Sequence, residues 1–392
     1  MPAPFEFVPR TRLVFGAGAR RRLGELAREL GARRVLLVTD AGLLASGHVA
    51  EAEIALAAAG CELARFAETH ENPSTADVEA CLARARAFEP ELFVGLGGGS
   101  AIDVAKGANL LLTNGGRMQD YRGPATPGRT PHALLPLLAV PTTAGTGTEV
   151  QSFALIADAD SHEKMACGAA DGAPRVAVLD PELTLTLPRF VTACTGLDAI
   201  GHALESAVTR ARSEASDLFA RAAWARLAPA FPRVLTEPGD LAARGDMLLG
   251  AAWAGLAIEH SMLGAAHSMA NPLTTRFDIA HGLAVALALP HVVRFNAEEP
   301  GARAVYAALA ASAGWEGARD ERAAVEALLA GLARFLAAAG VAPALGEYGV
   351  RAEHLALLAE EAARQWTARF NPRPVGEPEF RTLFAAALRE GV

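Results

Sequence analysis

The sequence predicts a doubly wound, mostly parallel α/β domain followed by an all-α domain. The chain has 392 residues, which is too long for one ordinary hydrophobic core, so two domains are expected. Up to residue 188, short apolar runs alternate with segments of helical periodicity, and this alternation indicates a parallel sheet covered by helices. From Arg189 onward, alanine and leucine recur at helical spacing with few β-branched runs, which indicates helices without a sheet.

The elements of the α/β half can be placed from these runs and their flanking turns. The predicted strands are residues 33–39, 61–66, 91–96, 135–140, 150–157 and 174–179. Predicted helices run up to residue 59, over 75–88 with a cap at Ser74 or Thr75, and from residue 100 to 112. Residues 181–188 (PELTLTLP) are the predicted hinge, so we expect domains at 1–188 and 189–392.

Composition and charge indicate a soluble globular protein and exclude several other classes. Apolar residues make up 51% of the chain and charged residues 20%, which is typical of folded rather than disordered chains. The net charge is −8 and no block of basic residues stands out, so neither nucleic acid nor a membrane is an expected partner. The four cysteines lie far apart and the N-terminus has no signal-peptide pattern, so we expect a cytoplasmic protein with free cysteines.

The use of basic residues singles out two positions. Of the 36 basic residues only Lys106 and Lys164 are lysine, and all the others are arginine. We predict that both lysines lie where the wide planar guanidinium of arginine cannot replace a compact ammonium. Chance survival of two lysines is the alternative interpretation.

A glycine-rich turn after the third predicted strand is the first candidate binding site. The turn opens a helix with Gly97, Gly98, Gly99 and Ser100. Backbone N–H groups and the helix dipole can face a phosphate there, and Ser100 can either cap the helix or donate to the phosphate. Asp103 and Lys106 lie on the first turns of the helix, and Lys106 can reach a phosphate or, more simply, a carboxylate on the helix surface. A plain tight turn is the alternative for the glycines.

Two further segments follow apolar strands and present polar groups. Asp40 ends the first predicted strand, where a carboxylate can accept hydrogen bonds from an adenosine ribose and repel a 2′-phosphate, which favours NAD over NADP. Capping the next helix is an equally good role for Asp40. Residues 141–149 (PTTAGTGTE) contain four threonines and two glycines, and such a loop presents hydroxyls and bare backbone to a ligand.

Four side chains in the helical half form a candidate metal site. Asp198 and His202 are four residues apart, so both project from one face of a helix and can bind one ion. His267 ends an apolar helix and His281 begins another, and small neighbours leave room around both rings. One carboxylate and three imidazoles suit a catalytic Fe²⁺ or Zn²⁺ and leave positions open for substrate. A hydrogen-bonded structural role is the alternative for each histidine.

Four segments in this order resemble the iron-containing (group III) alcohol dehydrogenases. The segments are GGGSAIDVAK, LAVPTTAGTGTEV, TGLDAIGHALES and GAAHSMANPL followed by AHG, and the resemblance spans almost the whole chain. It implies a dinucleotide-binding α/β domain, a helical metal-binding domain and a cleft between them, with NAD and a divalent metal, Fe²⁺ or alternatively Zn²⁺, as cofactors. It also implies a small alcohol or aldehyde substrate and a homodimer or larger homo-oligomer.

The resemblance assigns individual residues as well. The implied metal ligands are Asp198, His202, His267 and His281. The implied dinucleotide contacts are Asp40, Asn72, Gly98, Gly99, Ser100, Thr142, Thr143 and Lys164, with Lys164 near the nicotinamide ribose. To these we add Gly97 and Asp103 from the glycine-rich turn and its helix. We assign His267 and Lys164 as the catalytic residues.

The chain departs from the family pattern beside the metal ligands. Asn271 stands where members frequently carry a second histidine, and Ile258 stands where many carry an aromatic residue. Both departures affect the proton relay and the shape of the pocket, and they leave the substrate open. His260 and His291 lie at nearby positions, and we interpret both as structural.

These observations predict a metal-dependent oxidoreductase that transfers hydride between a small alcohol or hydroxy acid and NAD, giving the aldehyde or ketone. In this hypothesis the metal stabilises charge on the substrate oxygen, and the protein aligns the two reactants. A transhydrogenase that keeps its nicotinamide bound is one alternative. A lyase of the dehydroquinate synthase type is another, but it needs several basic residues around a phosphate-rich substrate. A non-catalytic binding protein is the third, and the four metal ligands argue against it.

Overall fold

Two compact units make up the chain. The computed structural model describes residues 4–123, 130–161, 163–315 and 320–389. The α/β unit comprises Val8–Thr143 and Gly147–Leu187. The helical unit comprises residues 4–7, Ala144–Thr146 and the chain from Pro188 onward, so it takes in two short segments from the first half of the sequence.

The strands of the described residues form one large sheet and one hairpin. They are β1 (Arg12–Phe15), β2 (Arg34–Val38), β3 (Glu62–Phe66), β4 (Leu92–Gly97), β5 (Leu137–Pro141), β6 (Phe153–Ala157), β7 (Lys164–Gly168) and β8 (Val176–Leu179). The large sheet has the order β1-β8-β5-β4-β2-β3, and all of its neighbouring strands are parallel. The predicted parallel α/β architecture is therefore confirmed. β6 and β7 pair antiparallel in the separate hairpin.

The helices divide between the two units. The α/β unit contains α1 (Leu23–Glu29), α2 (His48–Ala58), α3 (Thr75–Phe88) and α4 (Gly99–Asn114). The helical unit contains α5 (Arg189–Ser206), α6 (Glu214–Thr236), α7 (Leu241–Glu259), α8 (Ala265–Phe277), α9 (His281–Asn296), α10 (Pro300–Ser312), α11 (Glu321–Ala339), α12 (Leu355–Arg364) and α13 (Glu377–Arg389). The helical unit has no strand in the part of the chain that the structure describes, which confirms the predicted all-helical second half.

The large sheet is apolar on both faces because helices cover both faces. One core cluster joins α1 and α2 to Leu37 of β2 and Val94 of β4. A second core cluster joins α3 and α4 to the neighbouring residues Leu36 and Phe93. Successive residues of a strand face opposite sides of its sheet, so a strand buried on both sides is apolar along its whole length. This burial explains the uninterrupted apolar runs from which the strands are predicted.

Two strands and one pairing differ from the sequence prediction. β1 and β7 are not among the predicted strands. Residues 150–157 are predicted as one strand, but Thr148–Val150 forms a 3₁₀ turn and only β6 is extended. β7 begins soon after β6 and pairs with it. A Cβ on Gly168 would lie 2.6 Å from the Ser152 carbonyl oxygen, so the hairpin closes only around a glycine.

The order of the strands reverses between β2 and β4. From β2 the chain moves outward to β3, and it then crosses to β4 and continues to β5 on the other side. In open α/β sheets, ligands bind beyond the carboxyl ends of the strands at such a reversal. β2 is followed after one residue by Asp40, and β4 ends at Gly97. The fold thus places both candidate segments at the expected binding edge.

The apolar helices of the second half pack against one another. Trp224 on α6 is fully buried, and its indole N–H donates to the Leu309 carbonyl oxygen at 2.7 Å. Among the described residues α7 is the one helix that is long and apolar enough to cross a membrane, and 72% of its apolar window is buried inside the protein. A Cβ on Gly250 of α7 would lie 2.8 Å from Leu227 of α6, so the two helices pack closely. α7 is therefore a helix of the hydrophobic core of the helical unit.

The segment predicted as a hinge is partly helical. Pro181–Thr184 forms a 3₁₀ helix capped by Asp180, whose carboxylate accepts a hydrogen bond from the Glu182 backbone N–H at 3.1 Å. The Asp180 carboxylate also accepts from the Arg20 guanidinium at 2.8 Å. These contacts fix the first part of the segment within the α/β unit.

Candidate functional site

The N-terminus of α4 has the features of an anion-binding site. α4 begins at Gly99, Gly98 is its N-cap, and no side chain of the described residues caps it. The first N–H groups of an α-helix have no partner within the helix and carry its positive dipole end. Ser100 does not cap the helix, so of its two predicted roles the contact with a phosphate stays a prediction.

Close approaches at the glycine-rich turn bring several predicted dinucleotide residues together. Gly97 has φ 155°, and a Cβ there would lie 2.9 Å from the Ala101 Cβ and 3.3 Å from the Asp40 carboxylate. A Cβ on Gly98 would lie 3.6 Å from the Thr143 methyl group. The Thr142 backbone N–H donates to the Gly97 carbonyl oxygen at 2.9 Å. Side chains at these glycines would fill the space over the strand ends, where the protein backbone has to approach a ligand closely.

Asp40 caps the helix that follows it, which is one of the two roles predicted for this residue from the sequence. Its Oδ1 accepts a hydrogen bond from the Leu43 backbone N–H at 2.9 Å, which caps the 3₁₀ helix Ala41–Ser46. Its other oxygen, Oδ2, lies beside Gly97. One carboxylate thus has one oxygen for the cap and a second oxygen at the candidate phosphate turn.

Backbone pairing links the segment of Asn72 to Lys164 through the β6–β7 hairpin. Asn72 has φ 52°, a left-handed conformation that asparagine tolerates better than most residues. The neighbouring Pro73 carbonyl oxygen accepts from the Ala157 backbone N–H at 2.8 Å. Ala157 is the direct partner of Lys164 in the hairpin register. The fold therefore joins two residues that are 92 positions apart in the sequence and that the family resemblance assigns to one cofactor.

The other lysine lies inside the α/β unit rather than at a ligand. Lys106 is 3% exposed, and its ammonium donates to the Thr148 carbonyl oxygen and hydroxyl, both at 2.6 Å, and to the Phe153 carbonyl oxygen at 2.8 Å. Of the two roles predicted for Lys106, the phosphate contact stays a prediction, whereas the carboxylate near it is Asp103 at 3.9 Å, which is buried in the protein instead of lying on the helix surface. Three acceptors around one nitrogen suit an ammonium better than a planar guanidinium.

Asp103 belongs to the same buried network. Its Oδ1 accepts from the Thr148 hydroxyl at 2.5 Å, and its Oδ2 accepts from the Leu155 backbone N–H at 3.0 Å. We call Asp103, Lys106 and Thr148 the Lys106 cluster. Both carboxylate oxygens of Asp103 have partners within the protein, and a dinucleotide contact for this residue stays a prediction.

In the helical unit the four predicted metal ligands lie together. The Asp198 Oδ1 is 3.5 Å from the Nε2 of His202, 3.5 Å from the Nε2 of His267 and 4.0 Å from the Nε2 of His281. The rings of His202 and His267 stack with centroids 4.8 Å apart. We call these four residues the Asp198 cluster. Ligand atoms of Asp198, His267 and His281 all lie within 4.8 Å of one another, a spacing that can hold one ion.

Two atoms at the centre of the Asp198 cluster test whether it fits a metal. Asp198 Oδ1 and His267 Nε2 are buried, and neither has a hydrogen-bond partner among the described residues. A buried polar atom without a partner costs about 1–3 kcal/mol, so two such atoms facing one point indicate a missing ligand. Imidazole nitrogens and a carboxylate oxygen are the donors that Fe²⁺ and Zn²⁺ accept. The residues fit a divalent cation.

Local sequence explains how these four side chains converge. Asp198 and His202 lie one turn apart on α5, whereas His267 lies in the first turn of α8 and His281 begins α9. A Cβ on Gly282 would lie 1.9 Å from the Cys194 carbonyl oxygen, so α9 reaches α5 only because a glycine follows His281. The small residues beside the histidines thus permit the close packing of the helices that carry them.

The charges of the Asp198 cluster favour a cation. Burial raises the pKa of Asp198, but the three histidines outweigh burial and hold this pKa well below its usual range. Burial lowers the pKa of His267, but the carboxylates of Asp198 and Glu205 outweigh it and raise this pKa to about 9. The pKa of His202 is lowered, mainly by burial. The carboxylates that hold a proton on His267 would equally attract a metal ion.

A second layer of contacts, which is not predicted from the sequence, orients the imidazoles. The carboxylate of Glu205, which is 3% exposed, accepts from the His267 Nδ1–H at 2.5 Å and from the Ala266 backbone N–H at 2.7 Å. The His202 Nδ1–H donates to the Gly145 carbonyl oxygen at 3.2 Å. With Nδ1 bonded in this way, Nε2 of each ring is directed to the cluster. Glu205 lies seven residues after Asp198 on the same helix face, and this spacing is the signal that could have identified it.

The remaining candidates near the cluster have structural contacts. The Asn271 side-chain amide donates to Gln365 Oε1 at 2.9 Å. The His260 ring packs on the Phe7 ring with centroids 4.6 Å apart, and His291 is 4% exposed. Ile258 is 2% exposed on α7.

A metal site of one carboxylate and three imidazoles, together with an α/β sheet of the nucleotide-binding type, is typical of metal-dependent dehydrogenases. Residues 9–181 match the family described as iron-containing alcohol dehydrogenase, and residues 192–388 match the C-terminal family of Fe-containing alcohol dehydrogenases. The chain belongs to the iron-containing alcohol dehydrogenase family. It is an enzyme that interconverts a small alcohol and its carbonyl product.

Individual relatives match along nearly their whole length. The NAD-dependent methanol dehydrogenase of Bacillus methanolicus is 31% identical over 382 residues, which cover 97% of this chain and 99% of that protein. The structure of a 1,3-propanediol oxidoreductase superposes with a TM-score of 0.93 at 31% identity, covering 98% of this chain and all of the other. Sulfoacetaldehyde reductase from Bifidobacterium kashiwanohense in complex with NAD⁺ has a TM-score of 0.89 at 26% identity and 99% coverage of both chains.

Proposed function

We propose that the chain is an NAD-dependent, iron-type alcohol dehydrogenase with its metal at the Asp198 cluster and its dinucleotide at the carboxyl edge of the large sheet. The observation that supports this proposal best is the convergence of Asp198 Oδ1 and His267 Nε2, buried and without hydrogen bonds, on one point. In this proposal residues 1–188 serve as the dinucleotide domain and residues 189–392 as the metal and substrate domain.

Asp198, His202, His267 and His281 would hold the metal. A divalent ion there supplies a Lewis acid that stabilises negative charge on the substrate oxygen. Glu205 keeps the His267 Nε2 directed to the ion by accepting the proton at Nδ1. The family name supports Fe²⁺, and Zn²⁺ with the same donors is the alternative.

The α/β unit would hold the dinucleotide. The N-terminus of α4, the backbone of Gly97–Gly99 and the side chains of Ser100, Thr142 and Thr143 would hold the pyrophosphate. Asp40 lies at the end of β2, where a carboxylate receives ribose hydroxyls and repels a 2′-phosphate, so NAD is preferred over NADP. The relatives with NAD in their names support the same choice.

His267 and Lys164 are the proposed catalytic residues. His267 would contribute a metal ligand, and Lys164 would receive the nicotinamide ribose and so fix the reactive end of the cofactor. No protein nucleophile would be required, because the bound nicotinamide would itself accept the hydride and the chain would supply alignment. We further propose that the enzyme works in the cytoplasm as a homodimer or larger homo-oligomer.

A substrate screen tests this function. Metal-free protein is reloaded separately with Fe²⁺ and with Zn²⁺, and NADH absorbance is followed over primary alcohols, diols and hydroxy acids. The proposal expects NADH to accumulate in solution with at least one alcohol and one metal. Turnover between two substrates without release of NADH would instead favour a transhydrogenase, and no turnover with either metal would refute the proposal.

A further inference from the structure

The Lys106 cluster joins three segments that carry the proposed dinucleotide contacts. Asp103 and Lys106 belong to α4, whose N-terminus is the proposed phosphate site. Thr148 ends the threonine-rich loop that begins after β5 and contains Thr142 and Thr143. Because Thr148 donates to Asp103 and accepts from Lys106, it is held on both sides by the helix.

The same two side chains of α4 hold one edge of the β6–β7 hairpin. The Phe153 carbonyl oxygen accepts from Lys106, and the Leu155 backbone N–H donates to Asp103. Two residues further along β6, the Ala157 backbone N–H donates to Pro73. Alternate residues of a strand direct their backbone groups to the same edge, so this edge of β6 is bonded to side chains and a loop instead of to another strand.

β7, which begins at Lys164, pairs with β6 on one edge. On its other edge the Gly123 backbone N–H donates to the Ala166 carbonyl oxygen at 2.8 Å. Pairing with the end of β6 holds the start of β7, where Lys164 lies. Lys164 pairs with Ala157 at the end of β6, four residues beyond Phe153. A shift of β6 against α4 therefore moves Lys164 against the proposed phosphate site. The ammonium of Lys106 also lies 3.9 Å from Asp103 Oδ1 and offsets part of the cost of burying that carboxylate, although burial still outweighs it and raises the pKa of Asp103.

The presence of lysine at position 106 indicates that this position requires a compact ammonium. Arginine supplies 34 of the 36 basic residues of the chain, which leaves two lysines, and one of these two fixes the hairpin that carries the other. An ammonium can bring three acceptors to within 2.6–2.8 Å of one nitrogen, whereas a guanidinium spreads its donors over a wide plane. Within this buried space arginine would push β6 away from α4.

We propose that Lys106 is a positioning residue for dinucleotide binding, which fixes Lys164 and the threonine-rich loop relative to the N-terminus of α4. This inference rests on the proposed function, because it assumes that Lys164 and the α4 N-terminus bind the same NAD. Lys106 itself touches neither cofactor nor substrate. Its effect on the cofactor passes through the hairpin.

A double-mutant cycle between the two lysines tests the proposal. The wild type, Lys106→Met, Lys164→Met and the double variant are titrated with NADH, and the dissociation constant is read from nicotinamide fluorescence. We expect each single variant to weaken binding about tenfold and the double variant to be no more than about threefold weaker than Lys164→Met, since residues that act through one another are not additive. Fully additive losses would overturn the proposal.

Asn109 provides a matched control on the same helix. It is 3% exposed, and its side-chain amide exchanges two hydrogen bonds with the backbone of Leu135 but none with the hairpin. Asn109→Leu should lower the melting temperature and leave the NADH dissociation constant within about twofold of wild type. Equal loss of NADH affinity in Asn109→Leu and Lys106→Met would show that Lys106 contributes only stability and would overturn the proposal.

Two further variants cover the case in which Lys106→Met does not fold. Thr148→Val keeps the ammonium and removes one acceptor, and Lys106→Arg keeps the charge and changes the shape. Both are expected to weaken NADH binding, and both should lose this effect in a Lys164→Met background. Wild-type affinity in both would overturn the proposal. Failure of the wild type to bind NADH would refute the proposed function itself, whereas wild-type binding with additive losses refutes only the role of Lys106.

Discussion

The two units of this chain each bury a cluster of charged side chains, and the clusters differ in one respect. In the Lys106 cluster every hydrogen-bonding atom described above has a protein partner, from the three acceptors of the ammonium to both oxygens of Asp103. In the Asp198 cluster one carboxylate oxygen and one imidazole nitrogen have none among the described residues. All members of the Lys106 cluster and three of the four residues of the Asp198 cluster are buried, whereas the His281 side chain is 21% exposed.

The difference separates a structural role from a ligand-binding role. Buried polar atoms in folded proteins are nearly always hydrogen-bonded, so an unbonded group needs an explanation. For the Asp198 cluster a bound cation explains it, because the unbonded atoms are metal donors that face one point. For the Lys106 cluster nothing is left for a ligand to satisfy. The two kinds of cluster are distinguished by whether their buried polar atoms have hydrogen-bond partners, and not by burial or charge.

The largest expected effect comes from removing a ligand of the unsatisfied cluster. His267→Ala should lower kcat/KM by at least about 10³-fold, because Lewis-acid stabilisation of the substrate oxygen is lost. NADH binding, measured by fluorescence titration, should persist. His260→Ala is the control, since this ring packs on Phe7 outside the cluster. Unchanged turnover in His267→Ala would remove the basis for distinguishing the two clusters.

A smaller effect is expected from the carboxylate that orients His267. Glu205→Gln keeps the size of the side chain but weakens the acceptor at the His267 Nδ1–H. Loss of such an outer contact typically lowers metal affinity by about 10–100-fold, and a competitive titration with a chelating dye measures this change. If the affinity for Fe²⁺ and Zn²⁺ is unaltered, Glu205 serves the fold alone.

Removal of the carboxylate at the end of β2 should change the preference for NAD over NADP modestly. Asp40→Ser retains a helix-capping oxygen and removes the negative charge, so the preference for NAD over NADP should fall by about tenfold, given the cost of like charges in contact. Initial rates with both cofactors provide the ratio of kcat/KM values. An unchanged ratio would place the adenosine ribose elsewhere.

A further effect, on stability and not on activity, concerns a buried acid beside the satisfied cluster. Burial raises the pKa of Glu149 to about 7, from a usual value of 4.5. A raised pKa means that the folded state binds the proton more tightly, so this stabilisation is complete below pH 4.5 and is lost as the pH rises through 7. The melting temperature of the wild type should therefore fall relative to that of Glu149→Gln between pH 5 and pH 8.

Because this effect arises in the α/β unit, it should be the same with and without metal. Thermal melts of the metal-free and metal-loaded forms at each pH check this expectation. A difference in melting temperature between wild type and Glu149→Gln that stays constant between pH 5 and pH 8 would contradict the raised pKa. If the difference in melting temperature between wild type and Glu149→Gln changed when metal is bound, the expectation that the two clusters act independently would be contradicted.

Local patterns made much of the fold predictable. Five of the six strands of the large sheet were found from their apolar runs, whereas β1 at its edge was missed. The second half was found because alanine and leucine recur at helical spacing. The spacing of Asp198 and His202 predicted one helix face. The structure brings these two residues together with His267 and His281.

Features that depend on distant contacts were not predictable. The pairing of β6 with β7 rests on a glycine that admits the Ser152 carbonyl oxygen. The role of Glu205 rests on a hydrogen bond to a residue 62 positions away. Periodicity did not distinguish whether Lys106 faces the interior or the phosphate turn, because a helix as deeply buried as α4 has no polar face to indicate direction.

Metal stoichiometry tests the central distinction most directly. Purified protein is loaded with Fe²⁺ or Zn²⁺ without oxygen, desalted and assayed for metal per chain by mass spectrometry, beside Asp198→Asn and Lys106→Met. The account predicts about one ion per chain in wild type and in folded Lys106→Met, and almost none in Asp198→Asn. One firmly held ion per chain in Asp198→Asn would contradict it.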